Sequence, residues 1–150
     1  MHTGQERQGR LGTMAETPSL FKGTMPIDLF HMVAGDRIGQ GIAREVYVFK
    51  LDDEKVIKFE LGTYDFQNVM EWTTWTEAPQ AARRWLAPCI DISPNGKILI
   101  QQRVTPWLGP IPAKHPKWLD DIHKANWGTF EGRPVMVDYG RSDLIRRGFR

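Results

Sequence analysis

Two stretches near the middle of the chain constrain its fold most. They are Glu45-Val46-Tyr47-Val48-Phe49-Lys50 and Lys55-Val56-Ile57-Lys58-Phe59-Glu60, with only Leu51-Asp52-Asp53-Glu54 between them. Both are rich in β-branched and aromatic residues, and so short a connection leaves room for a turn and nothing else. An antiparallel pair of strands follows. Alternation puts Val56, Lys58 and Glu60 on one face of the second strand and Ile57 and Phe59 on the other. A lysine in an apolar strand is either a solvated edge charge or an inward cation that needs a carboxylate or a phosphate.

The neighbouring segments extend this sheet. From Val33 the pattern is strand-like, and Ile38 leads into Gly39-Gln40-Gly41, so three strands form a meander. A helix is expected next, with Asp65 as its N-cap and an apolar face of Phe66, Val69, Met70 and Thr73. Pro79 ends it and forces Ala78 out of the helical region. A shorter helical piece is expected through Ala81 to Trp85. Strands at Cys89–Ile92 and Ile98–Gln102 are separated by the turn signal Pro94-Asn95-Gly96. Four prolines between residues 105 and 117 (Pro106, Pro110, Pro112, Pro116) forbid a regular helix there. A hairpin is expected last, with Thr129-Phe130 and Val135–Val137 flanking a turn at Glu131-Gly132. The order predicts an α+β fold, a five-stranded antiparallel sheet with one main helix beside it.

Composition limits the function classes. The chain has 150 residues, enough for one core. Its net charge of +2 disfavours binding driven by phosphate neutralisation of nucleic acid. The single Cys89 excludes an internal disulfide and reads as a buried, inert thiol. No apolar run is long enough to span a membrane, and the N-terminus lacks the apolar core of a secretory signal, so a cytoplasmic protein is expected. Residues 1–24 read as a polar arm, either a disordered extension or a segment that a protein partner would order, with Met14 and Met25 as further candidate starts. Residues 25–150 read as one domain, divided into 33–104, 105–140 and a basic tail at 141–150. His123 reads as a loop-stabilising hydrogen-bonder, and the six tryptophans as packing residues.

The chemistry-bearing residues fall in a definite order. Gly39-x-Gly41 lies between two strands, where glycines let backbone amides approach phosphate oxygens. Lys58 follows in a strand, then Glu71 and Glu77 on a helix. Asp121-Ile-His-Lys-Ala-Asn126 sets an acid five residues before an amide. Val135-Met-Val-Asp138-Tyr139-Gly140 sends an acid off the end of an apolar strand. Asp and Asn oxygens are hard ligands suited to Mg²⁺. This set, with Val46, resembles the protein-kinase-like fold. The loop at Asp121–Asn126, together with Gly39-Gln-Gly-Ile-Ala-Arg-Glu-Val-Tyr and Gln67-Asn68-x-x-Glu71-Trp72, is similar to aminoglycoside-phosphotransferase-like and small bacterial or phage kinase-like proteins. The resemblance covers roughly residues 33–140 and departs in three ways: the third glycine position of the loop holds Arg44, Leu119 stands two residues before Asp121, and the stretches before Asp121 and after Asp138 are too short for the supporting helix, the activation segment and the substrate-binding helices of the family.

The resemblance implies a kinase-like small lobe joined to a strongly reduced large lobe, binding ATP and Mg²⁺. Gly39, Gly41 and Val46 would line the nucleotide site. Lys58 would hold the phosphates and pair with Glu71, or alternatively with Glu77. Gln102 and Val104 would belong to the hinge that meets adenine. Asp121 would orient the acceptor hydroxyl, and Asn126 and Asp138 would hold the metal. Two functions are expected from this. One is an ATP·Mg-binding phosphotransferase acting on a protein or small-molecule hydroxyl. The alternative is a non-catalytic module of a phage or bacterial assembly, located in the host cytoplasm or on the virion.

Overall fold

The computed structural model describes residues 19–21, 23, 26–41, 43–62, 65–119 and 122–140. Asp121 lies outside the described residues, as do the tail at 141–150 and most of the N-terminal arm. In chain order the elements are α1 (Pro26–Val33), β1 (Ala34–Gln40), β2 (Arg44–Phe49), β3 (Lys55–Glu60), α2 (Gln67–Glu77), α3 (Gln80–Arg83), β4 (Cys89–Ile92), β5 (Ile98–Gln102), β6 (Thr105–Pro106), β7 (Trp127–Phe130) and β8 (Arg133–Met136). A single 3₁₀ turn at Lys124–Asn126 precedes β7.

The chain is α+β. Its main sheet has five antiparallel strands in the order β1-β2-β3-β5-β4. Register fixes which side chains share a face. Val46 sits opposite Lys58, Arg44 opposite Glu60, Ile57 opposite Ile100, and Val56 opposite Gln101. One face therefore carries Ile57, Phe59, Ile98 and Ile100. It is closed by α1 and Phe21 in an apolar layer that also includes Leu29, Val33 and Phe49. The opposite face carries Arg44, Lys58, Glu60 and Gln101, all buried.

A second sheet of β6-β7-β8 stands beside the charged face. Its hairpin turns through Glu131 and Gly132, both at positive φ (50° and 76°), the backbone that a two-residue hairpin loop requires. Backbone bonds tie this sheet to the segment after α3: Ala87 N–H donates to Met136 O and Met136 N–H to Trp85 O, both at 2.8 Å. Leu86, Leu99, Trp118, Leu119, Trp127, Met136 and Tyr139 form the core between the sheets. Trp118 is buried at the end of the proline-rich crossing, and Trp107 packs against the same core while its Nε1–H bonds Pro110 O at 2.9 Å.

Several expectations need correction. Ser19–Phe21 belong to the domain rather than to a free arm: Phe21 is 1% exposed, and Ser19 Oγ–H and Leu20 N–H both donate to Asp91. The strand pattern from Val33 conceals α1, whose apolar Leu29 and Val33 face the sheet. The α2 N-cap is Phe66, in the left-handed conformation at φ 51°, and Asp65 makes no cap bond. The face of α2 is also reversed. Phe66 and Val69 are exposed, and the buried residues are Asn68, Glu71 and Thr74. Charge explains this: Glu71 is the anion available to the cations on the sheet, and that pairing outweighs the weak apolar stripe. The shorter helix spans Gln80–Arg83 rather than 81–85, and β8 ends at Met136, leaving Val137 outside it.

Candidate functional site

The buried charges on the inner sheet face form one connected network. Lys58 Nζ donates to Glu71 Oε1 at 2.5 Å and to the carbonyl of Val137. Gln101 Nε2 reaches the same carboxylate oxygen at 2.9 Å. Arg44 Nη1 donates to Glu71 Oε2 at 2.6 Å and to Asn68 Oδ1 at 3.1 Å, and its Nη2 donates to Asp138 Oδ1 at 2.6 Å. Asn68 locks the other side: its backbone N–H meets Glu60 Oε1 at 2.8 Å and its amide meets the carbonyls of Lys58 and Lys97. Among the described residues no buried side-chain polar atom lacks a partner.

The sequence leaves the partner of Lys58 open between two glutamates. In the structure it is Glu71, which is fully buried, whereas Glu77 is exposed at the helix end. Strand alternation explains the choice. Lys58 faces inward from β3, and the helix turn directly above it presents Asn68 and Glu71. Burial pulls the Lys58 ammonium below its ordinary range, and Glu71 offsets part of that. Burial alone would lower Arg44 as well, yet the carboxylates of Glu71 and Asp138 outweigh it and hold the guanidinium above its ordinary value.

The network forms the floor of a cleft of about 750 Å³. Small-molecule sites span roughly 300–1,000 Å³. Gly39, Gly41, Val46, Lys58, Gln102, Val104, Asn126 and Asp138 all line this one cleft. A Cβ at Gly39 or Gly41 would meet its own chain only at ordinary contact distance, 3.5 Å from Val46 and 3.7 Å from Arg44 O. Packing therefore does not demand glycine there, and its absent side chains widen the cleft. Gly140 is different. A Cβ on it would lie 2.7 Å from the backbone oxygen of Gln67, so glycine is what lets the Asp138 loop sit against the first turn of α2. Val137 N–H donates to Asn126 O at 2.8 Å, which binds the two candidate metal-ligand segments together.

The segment at Gln102–Val104, expected to act as a hinge, is partly committed to the fold. Gln102 N–H donates to Pro88 O and Arg103 N–H to Glu54 O, both at 2.8 Å. His123 Nε2 lies 3.4 Å from Asn126 Nδ2, consistent with an orienting contact in the loop. Cys89 contacts Tyr139 O–H at 3.1 Å deep in the core, and burial pushes its thiol up to about 12, which fits an inert residue.

Arg44 is the site residue that sequence reasoning missed. Its position reads as a failed glycine, and only its even spacing from Val46 on an inward-facing strand signals that it points into the cleft. For a divalent cation, Asp138 and Asn126 supply two oxygen donors in one cleft, and the described residues hold no cluster of three carboxylates, histidines or cysteines. Two protein ligands suit Mg²⁺, which takes the rest of its shell from phosphates and water. The donor set fits, with the Asp138 carboxylate shared with Arg44. Among the described residues, no helix is long and apolar enough to cross a membrane. Compared with known proteins, the sequence matches no family model and no curated protein.

Proposed function

We propose that this chain is a minimal protein-kinase-like domain that binds ATP with Mg²⁺. The observation that carries the reading is convergence. The glycine loop, the Lys58–Glu71 pair, Asn126 and Asp138 come from five separate segments and share one cleft or its floor. The element order supports it further. A five-stranded sheet with one principal helix is followed by a small hairpin sheet, and Asp138-Tyr139-Gly140 leaves the last strand.

In this reading Lys58 neutralises the phosphates, which seat beneath the Gly39–Gly41 loop where no side chain stands in the way; the Gly41 amide itself is engaged by Arg44 O at 2.7 Å. Glu71 holds Lys58 extended into the cleft. Val46 and Val56 cover the base from above, and Val104 meets it at the hinge, since the backbone amides of Gln102 and Arg103 are already engaged. Asn126 and Asp138 hold the cation, which supplies charge neutralisation at the phosphates. Asp121 orients the acceptor hydroxyl of a protein or small molecule.

A second reading keeps the binding and drops the catalysis, making the chain a kinase-like subunit of a phage or bacterial assembly. Segment 107–119 favours it. That segment is described throughout and carries no helix to support the loop before Asn126.

Thermal unfolding with millimolar ATP, with and without Mg²⁺, tests the shared claim. Bound nucleotide raises the melting temperature by mass action. No shift in either condition would sink both readings. Transfer of labelled γ-phosphate, abolished in Asp138→Ala, would separate the catalytic reading from the silent one.

A further inference from the structure

Arg44 occupies the position where a glycine-rich loop has its third glycine, and it is not a passive replacement. It opens β2, is 5% exposed, lines the cleft, and holds two carboxylates at 2.6 Å each. The two carboxylates differ. Glu71 is fully buried and keeps two further donors, Lys58 and Gln101. Asp138 has a side chain 45% exposed at the cleft. The Arg44–Asp138 half of the arrangement is therefore the half that a ligand can exchange.

Resting on the nucleotide reading above, we propose that Arg44 is a phosphate-binding residue that changes partners: a nucleotide phosphate takes its Nη2 side from Asp138, and Asp138 passes to the divalent cation. Charge balance requires the two events to be linked. Arg44 and Lys58 face three carboxylates, Glu60, Glu71 and Asp138, so the network has no spare positive charge for a phosphate. A nucleotide that took the Arg44 Nη2 side without a cation would set phosphate charge beside Asp138 just as the guanidinium moves away. A cation that took Asp138 alone would strip Arg44 of half its anionic partners while it stays buried. With both present, every charge keeps a partner. Nucleotide and cation then each raise the other's affinity, and by the same factor. Arginine suits this role because its planar fork holds two oxyanions at once.

The distinguishing experiment is nucleotide binding by calorimetry in EDTA and in Mg²⁺, using ADP and ATP. Asp138→Asn releases Arg44, and metal-free affinity should rise about tenfold or more, the scale of one charged hydrogen bond. Removing the Asp138 carboxylate also lifts its repulsion of the phosphates, a gain that needs no Arg44, so the dependence of the gain on Arg44 is what decides. That gain should fall severalfold in the Arg44→Gln background, because the carboxylate then has no guanidinium to release and only its repulsion of phosphate is lifted. Arg44→Met, which also removes the charge, serves the same cycle if the glutamine variant does not fold. A gain from Asp138→Asn that is equally large without Arg44 would overturn the proposal, as would no gain at all. If the wild-type chain binds nucleotide in neither buffer, the nucleotide reading falls, and this inference with it.

Discussion

The two faces of the β2-β3-β5 sheet are built on opposite principles. On the outer face Ile57, Phe59, Ile98 and Ile100 meet Phe21, Leu29 and Val33, and ring contacts such as Phe30 over Phe59 (centroids 4.5 Å apart) complete a dry layer. Burying such side chains contributes roughly 1.5–3 kcal/mol each. On the inner face Arg44, Lys58, Glu60 and Glu71 are as deeply buried, but each must be matched by an opposite charge or a hydrogen-bond donor. A buried ion network is weak evidence for stability, since apolar residues of similar volume often serve as well or better. The outer face holds the sheet together. The inner face trades stability for a fixed constellation of charges at the floor of a cleft.

This contrast can be broken or sharpened by substitution. Glu71→Ala should have the largest effect, a loss of about 3–5 kcal/mol in chemical denaturation, because it leaves Lys58 and Arg44 buried with too few anions. The double change Lys58→Met with Glu71→Leu should recover much of that loss, since Arg44 retains Asp138. A double variant as unstable as the single one would mean that packing, rather than charge, governs the inner face. One residue away, Ile57→Ala should cost about 2–5 kcal/mol by cavity formation, with the nucleotide affinity of the folded fraction unchanged. Changed affinity there would erase the division between the faces. Gly140→Ala should cost about 1–3 kcal/mol through overpacking against Gln67, and should also weaken binding by displacing Asp138.

The smallest effect concerns Cys89. Its thiol is raised from an ordinary 9.0 to about 12 by burial, so the unfolded chain releases the proton first as pH rises. This group's contribution to stability is complete below pH 9 and declines between 9 and about 12. Cys89→Ala should flatten that part of the pH–stability curve relative to the wild type. In the native state at pH 8, an aromatic disulfide reagent should leave the thiol unmodified until the chain unfolds.

The outer face was the legible one. Strand alternation at Lys55–Glu60, the turn at Pro94-Asn95-Gly96 and the hairpin at Glu131-Gly132 follow from local rules, and those rules give the strand order its antiparallel character. The α2 face was misread because Phe66, Val69 and Met70 outscore Asn68, Glu71 and Thr74 on any apolar scale. A helix that packs against buried cations is selected by charge instead. Arg44 was misread for a related reason. A loop motif shows which glycine is missing, but only the β2–β3 register reveals that the replacement side chain reaches Glu71 and Asp138. The two-residue β6 and the helix α1 are too short for periodicity to reveal them.

Phe21 sets the practical boundary for working with this molecule. A version trimmed to start at Met25 would keep every strand and helix of the described residues, yet lose the ring that plugs the outer layer and the Ser19 and Leu20 clasp on edge strand β4. Such a version would present a greasy socket beside an unguarded sheet edge, the combination that invites strand-to-strand association between copies. Expression fragments should therefore begin upstream of Ser19, and a shortened preparation that clumps would be reporting a missing plug rather than an intrinsically unstable domain.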